Sequence, residues 1–113
     1  MSQITTHVLD ISLGRPAANV NVILEAKMAS GEWSLVGRGS TDGDGRLNDL
    51  SAGKALNAGA HRLTFETGGY FALRKIDGLY PQVVILFEVK DPRDHYHIPL
   101  LLSPYGYTTY RGG

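Results

Sequence analysis

The 113-residue chain carries 11 Lys plus Arg, 11 Asp plus Glu and no cysteine. A formally neutral chain has no broad electrostatic footprint for nucleic acid or an anionic membrane, and the lack of thiols excludes a disulfide scaffold, a thiolate metal site and a cysteine nucleophile. The length suits one domain, residues 1–113, around a single core.

The opening "MSQITTHVLDISLGRP" has neither a basic n-region nor a long apolar h-region, and no later run reaches membrane-spanning length, so a soluble, cytoplasmic chain is expected. Residues 4–11, "ITTHVLDI", are rich in β-branched types and form the first predicted strand, which "SLGRPAA" stops. Residues 20–28 alternate apolar and polar side chains, residues 32–41 do so less regularly, and "ASG" between them predicts a hairpin. The turn "DGDG" (42–45) leads into a short "RLNDL" segment, and "HRLTFET" (61–67) follows a glycine- and alanine-rich stretch. "GGYFALRKIDG" (68–78) loses the alternation and is rich in helix formers, so it predicts one short helix in which Tyr70 and Phe71, with Tyr80 at its exit, serve packing. "PQVVILFEVK" (81–90) is the most apolar segment and is expected to be a central strand, while 96–103 and 105–110 form a last pair. Eight short strands and one helix predict an all-β sandwich.

Period two sorts the last strands by face. Tyr96, Ile98, Leu100 and Leu102 make the better core face, which turns His97, Pro99, Leu101 and Ser103 outward. A histidine beside an exposed leucine marks an interface or a cleft. The faces of the final strand, Thr108/Tyr110/Gly112 and Tyr107/Thr109/Arg111, are not distinguished by pattern, and the first strand carries apolar residues on both sides, as if covered twice.

Several chemical motifs resolve to simpler readings. Asp42 and Asp44 have the spacing of a calcium loop, but Arg46 takes the next ligand position and no flanking helices follow, so "DGDG" reads as a turn. "GRGSTDGDG" lacks the Gly-Lys-Ser/Thr ending of a phosphate loop. His95 and His97 would need His7 or His61 to complete a zinc site, and the favoured reading has no metal and no cofactor, with His95 on the solvent side.

"HVLDISLGRPAANVNVIL", "TDGDGRL", "LTFETGGYF", "PQVVILFEV" and "HYHIPLLLSPYGYTTYRG", in that order along nearly the whole chain, resemble the 5-hydroxyisourate hydrolases, the transthyretin-like enzymes of urate breakdown. "HIPLLLSP" and the "YRG" ending are specific, because the transport protein transthyretin resembles the fold but lacks those residues. The resemblance implies an eight-stranded transthyretin-like sandwich with one short helix. It also implies a homotetramer, a dimer of dimers around a central channel, with sites where dimers meet. The implied reaction opens the six-membered lactam of 5-hydroxyisourate to 2-oxo-4-hydroxy-4-carboxy-5-ureidoimidazoline.

Carried onto this sequence, the family pattern selects His7 in "THVLD", Arg46 in "DGDGR" and His97 in "YHIPL" as catalytic residues, and Tyr110 and Arg111, with His7 and Arg46, for substrate binding. Such hydrolysis needs a positioned water, a base near neutral pKa and donors for developing oxyanion charge. The family ordinarily ends in serine after "YRG", and this chain has Gly113 there. Tyr110 is expected to wall the channel, and the two glycines after Arg111 to allow close backbone approach to a ligand or a second copy. The rival readings are a transthyretin-like small-molecule carrier without catalysis and a structural sandwich module.

Overall fold

The computed structural model describes residues 3–113. In chain order the strands are β1 (Ile4–Asp10), β2 (Arg15–Pro16), β3 (Asn21–Lys27), β4 (Trp33–Ser40), β5 (Arg46–Leu47) and β6 (Gly59–Phe65), followed by helix α1 (Thr67–Leu73) and strands β7 (Val83–Val89), β8 (Tyr96–His97), β9 (Leu100–Ser103) and β10 (Gly106–Thr109). One sheet runs β10-β9-β1-β2, with β5 and β8 also paired to β1, and the other runs β4-β3-β6-β7. Apolar residues from both sheets, among them Ile4, Val8, Leu100 and Leu102 from the first and Val22, Leu24, Leu63 and Phe65 from the second, form one buried cluster. This is the expected β-sandwich with its single short helix.

Strand β1 holds the first sheet together through its pairings, and the double covering expected of it is only partial, since His7 and Leu9 on its outward side are half-buried. Ile4, Thr6, Val8 and Asp10 are fully buried towards the core, and on the opposite side Thr5 is nearly as buried. It pairs parallel to β8 and β9 and antiparallel to β2 and β5. The β3–β4 hairpin forms as predicted: Met28 N–H bonds to Glu32 O, and Gly31 supplies a φ of 90° that glycine adopts without strain. Among the described residues no helix is long and apolar enough to cross a membrane.

Three expectations change. The apolar segment of β7 lies at the edge of its sheet, not its centre, and leaves Val84 and Leu86 exposed at 49% and 67%. A run of apolar residues specifies two apolar faces, and here one of them looks outward. The 96–103 strand is interrupted at Ile98 and Pro99, because proline has no N–H to continue the ladder. The helix stops at Leu73 rather than running to 78, since Lys75 takes a left-handed φ of 57°, which a continuing α-helix excludes.

Candidate active site

Strand register alone gathers three of the candidate side chains. His7 on β1 pairs with Arg46 on β5, and Thr5, two residues earlier on the same face, pairs with His97 on β8. Paired residues project from the same side of a sheet, so His7, Arg46 and His97 share the face directed away from the core. Their neighbours there, Leu9 and Leu101, are paired across β1 and β9 and half-buried.

The Asp42–Gly45 turn sets the first histidine. The Asp42 carboxylate accepts hydrogen bonds from the Asp44 and Arg46 amides at 2.9 and 3.0 Å, and Gly45 N–H bonds to Asp42 O. Gly45 has a φ of +75°, and a Cβ there would fall 2.3 Å from Val8 O, so the turn can lie against β1 only with glycine at this place. The Arg46 amide above all, then the Asp44 amide and the charges of Arg46 and His7, hold the Asp42 carboxyl below its ordinary range despite some desolvation. The same turn presents Asp44 O to His7 Nε2 at 2.8 Å. A carbonyl only accepts, so Nε2 carries the hydrogen and, in the neutral ring, Nδ1 keeps a lone pair. "DGDG" is therefore a turn that orients a histidine.

His97 is held from two sides. Its Nδ1 lies 2.8 Å from Thr5 Oγ1, and that hydroxyl is also 3.1 Å from His95 Nε2. The C-terminal segment folds back so that Gly112 N–H bonds to His97 O at 2.7 Å. A Cβ on Gly112 would sit 2.5 Å from His97 Cδ2. The close approach expected of the terminal glycines is thus made to His97 of the same chain. Burial, and then the positive charges of Arg46, His95 and His7, push the His97 pKa below its ordinary value. Both effects favour the neutral ring, and Nε2 is the nitrogen not engaged by Thr5.

Tyr110 and Arg111 lie elsewhere in the chain. Both line a cleft of about 490 Å³ at the open edge of the sandwich, together with Ile85, Phe87, Tyr96 and Ile98. The Arg111 guanidinium stacks 4.5 Å from the Tyr96 ring centroid and donates to His95 O at 3.1 Å. Arg111 therefore bears on the histidines through the backbone. His95 is exposed, as expected, while its ring reaches Thr5. His61 is buried on β6 of the opposite sheet, where its Nδ1–H bonds to Gly59 O and its ring packs on Phe87. Among the described residues no three His, Cys, Asp or Glu side chains are grouped to hold a metal ion. Thr5 and the Asp44 carbonyl were missing from the sequence reading. Period two places Thr5 on the His7 face, but its bond to His97 depends on a pairing between strands some ninety positions apart in the chain.

The chain is 44% identical over 109 residues to the 5-hydroxyisourate hydrolase of Salmonella dublin, an alignment that covers 96% of this chain and 79% of the relative. The 5-hydroxyisourate hydrolase of Halalkalibacterium halodurans is 41% identical over 116 residues, covering 97% of each. Among solved structures, Klebsiella pneumoniae 5-hydroxyisourate hydrolase superposes with a TM-score of 0.87 at 35% identity over the whole of both chains. Sea bream transthyretin in complex with thyroxine superposes with a TM-score of 0.91 at 29% identity, covering 97% of this chain and 94% of that one. The model of the HIUase/Transthyretin family matches residues 4–112, and with the relatives' identity at this coverage the chain belongs to the HIUase/Transthyretin family.

Proposed function

We propose that residues 1–113 act as one transthyretin-like hydrolase domain that opens the lactam of 5-hydroxyisourate to 2-oxo-4-hydroxy-4-carboxy-5-ureidoimidazoline. The observation that carries this reading is the convergence of His7, Arg46 and His97 on one sheet face, each histidine with one ring nitrogen engaged by the protein. Likeness of fold does not separate a hydrolase from a thyroxine carrier. An arginine in register beside a histidine on the face that carries the proposed base supports the hydrolase reading, since carriage requires neither.

In the proposed mechanism, His97 Nε2 takes a proton from water as the water oxygen attacks the lactam carbonyl carbon. Its lowered pKa supports the neutral form this step requires. His7 Nδ1, the lone-pair nitrogen, accepts a hydrogen bond from the same water and orients it. Arg46 stabilises the tetrahedral oxyanion with planar paired donors. Collapse breaks the C–N bond, and the leaving nitrogen takes the proton held on His97. No metal or cofactor enters this scheme. Tyr110 and Arg111 are assigned to the substrate site as it is completed by assembly.

The proposed assembly is a homotetramer, a dimer of dimers. The exposed Val84 and Leu86 on edge strand β7 supply one apolar contact surface, and the outward face with Leu9, Leu101 and the histidines supplies another. Ultraviolet absorbance of freshly made 5-hydroxyisourate, followed with and without protein, tests the activity. Accelerated decay is expected, with Arg46→Lys slower by roughly 10- to 100-fold, because ammonium cannot reproduce the paired donors. Decay at the uncatalysed rate would refute the hydrolase reading and favour the carrier, and sedimentation at protomer mass would refute the tetramer.

A further inference from the structure

His7 and His97 are oriented by different kinds of partner. The Asp44 carbonyl at His7 Nε2 can only accept, so that tautomer is fixed. The partner of His97 Nδ1 is a hydroxyl, which carries one hydrogen and two lone pairs. Thr5 Oγ1 can therefore accept from Nδ1–H or donate to Nδ1, and the two arrangements leave opposite protonation at Nε2. Something else has to decide between them. The second contact of the same hydroxyl is His95 Nε2, at 3.1 Å.

We propose that Thr5 is a positioning residue that sets the tautomer of His97, and that His95 controls which way the Thr5 hydroxyl points. With neutral His95 presenting a bare Nε2, Thr5 donates its hydrogen there and accepts from His97 Nδ1–H, which leaves His97 Nε2 as the free base. When Nε2 then takes a proton from water, the imidazolium keeps the same Nδ1–H bond, now to a hydroxyl polarised by His95. With protonated His95, Nε2–H donates to Thr5 and the hydroxyl hydrogen turns to His97 Nδ1. His97 then carries its proton on Nε2 and presents no base. One exposed histidine thus governs a partly buried one through a nearly buried hydroxyl.

The geometry suits this role. Thr5 is 8% exposed, so water does not readily replace it as a partner. Register fixes it opposite His97, and Gly112 against Cδ2 limits the ring's freedom on another side. The other charged or titratable groups bearing on His97 are His7 from β1 and Arg46 from β5, and Arg111 of the C-terminal segment binds the His95 carbonyl. Among the described residues the hydrogen-bond partners of Thr5 Oγ1 are His95 and His97, so the relay is set by the two histidines.

This inference rests on His97 being the base, and the test separates the two. In the hydroxyisourate decay assay, Thr5→Val, which keeps shape and loses the hydroxyl, is expected to lower kcat roughly 10- to 100-fold with little change in KM, and Thr5→Ser to restore it. The acid limb of log kcat/KM against pH should be one proton less steep in His95→Gln than in wild type, because only one histidine of the pair remains to be deprotonated. Imidazole 15N shifts of His97 at about pH 8.5, where histidines are ordinarily neutral, should report Nδ1–H in wild type, a readout that needs neither turnover nor a folded Thr5 variant. An Nε2–H tautomer there, or wild-type kcat in Thr5→Val, would overturn the role of Thr5. An unchanged acid slope in His95→Gln would overturn the control by His95. Wild-type turnover in His97→Asn would instead remove the base assignment on which both depend.

Discussion

Protonation of His97 is opposed by burial first and then by Arg46, His95 and His7. With the folded pKa below the ordinary value of about 6.5, hydrolysis by His95→Gln, in which only His97 of the pair titrates, is expected to persist into mildly acid solution and to fall as pH drops through that lower pKa. The unfolded chain takes up the proton earlier, so stability also declines once pH falls below about 6.5, until His97 itself titrates. His97→Asn should lower kcat by roughly 10²- to 10⁴-fold, with the sedimentation mass unchanged from wild type, and wild-type turnover in it would remove the base. Gly112 is the complementary case. Its Cβ would meet His97 Cδ2 at 2.5 Å and Pro99 Cγ at 3.4 Å, and the ring is the part able to move. Gly112→Ala is therefore expected to cut kcat roughly tenfold or more by misplacing the imidazole, while its thermal midpoint stays within a few degrees of wild type. Retained kcat in that variant would show that the ring tolerates the shift.

Between elements, one polar contact ties the first sheet to the helix. Asp10 is fully buried at the end of β1, and Tyr70 of α1 donates its hydroxyl to Asp10 Oδ2 at 2.8 Å. Burial would raise the Asp10 pKa, but Ser12, Tyr70 and the backbone amides of Leu13 and Ser12 outweigh it, and the carboxyl titrates below its ordinary value. Burial and the Asp10 hydrogen bond push Tyr70 up to about 12. This network stabilises the fold fully above the unfolded carboxyl pKa and loses that contribution as pH falls through the folded one. Tyr70→Phe should lower stability by about 1.5–3 kcal/mol at neutral pH and by less near pH 3, measured by thermal unfolding at one protein concentration. Equal losses at both values would place the effect in packing instead. The sequence displayed Tyr70 only as a packing residue, because a partner sixty positions away leaves no local trace. Alternation did reveal the strands and the outward turn of His97, since period two is a local property. The edge position of β7 did not show, because an apolar strand reads the same whether its second face meets this chain or another. Of the candidate site, the placing of His7, Arg46 and His97 together was suggested by their motifs, whereas Thr5 and the contact of Gly112 with His97 required the pairing of β1 with β8 and the fold-back of the C-terminal segment.

Across the whole molecule, the segment Tyr110–Gly113 connects the edge of the sandwich to the histidine face. Tyr110 and Arg111 line the edge cleft, Arg111 grips the His95 carbonyl and the Tyr96 ring, and Gly112 bonds to the His97 carbonyl. The segment contributes little to the core, since Tyr110 is 53% exposed and Arg111 is likewise at the surface. Deleting residues 110–113 is therefore expected to leave the sandwich folded, with a thermal midpoint near that of the intact chain. Removal frees both His95 and His97 from their backbone restraints, so kcat should fall by roughly 10- to 100-fold. Tyr110→Thr leaves those restraints in place and alters only the wall, and it should raise KM more than it lowers kcat. That contrast separates the two functions of the segment, restraint of His97 and enclosure of the proposed channel. Truncated protein that sediments like the intact chain and hydrolyses 5-hydroxyisourate at the intact rate would show that β1, β5 and β8 hold the three catalytic candidates unaided.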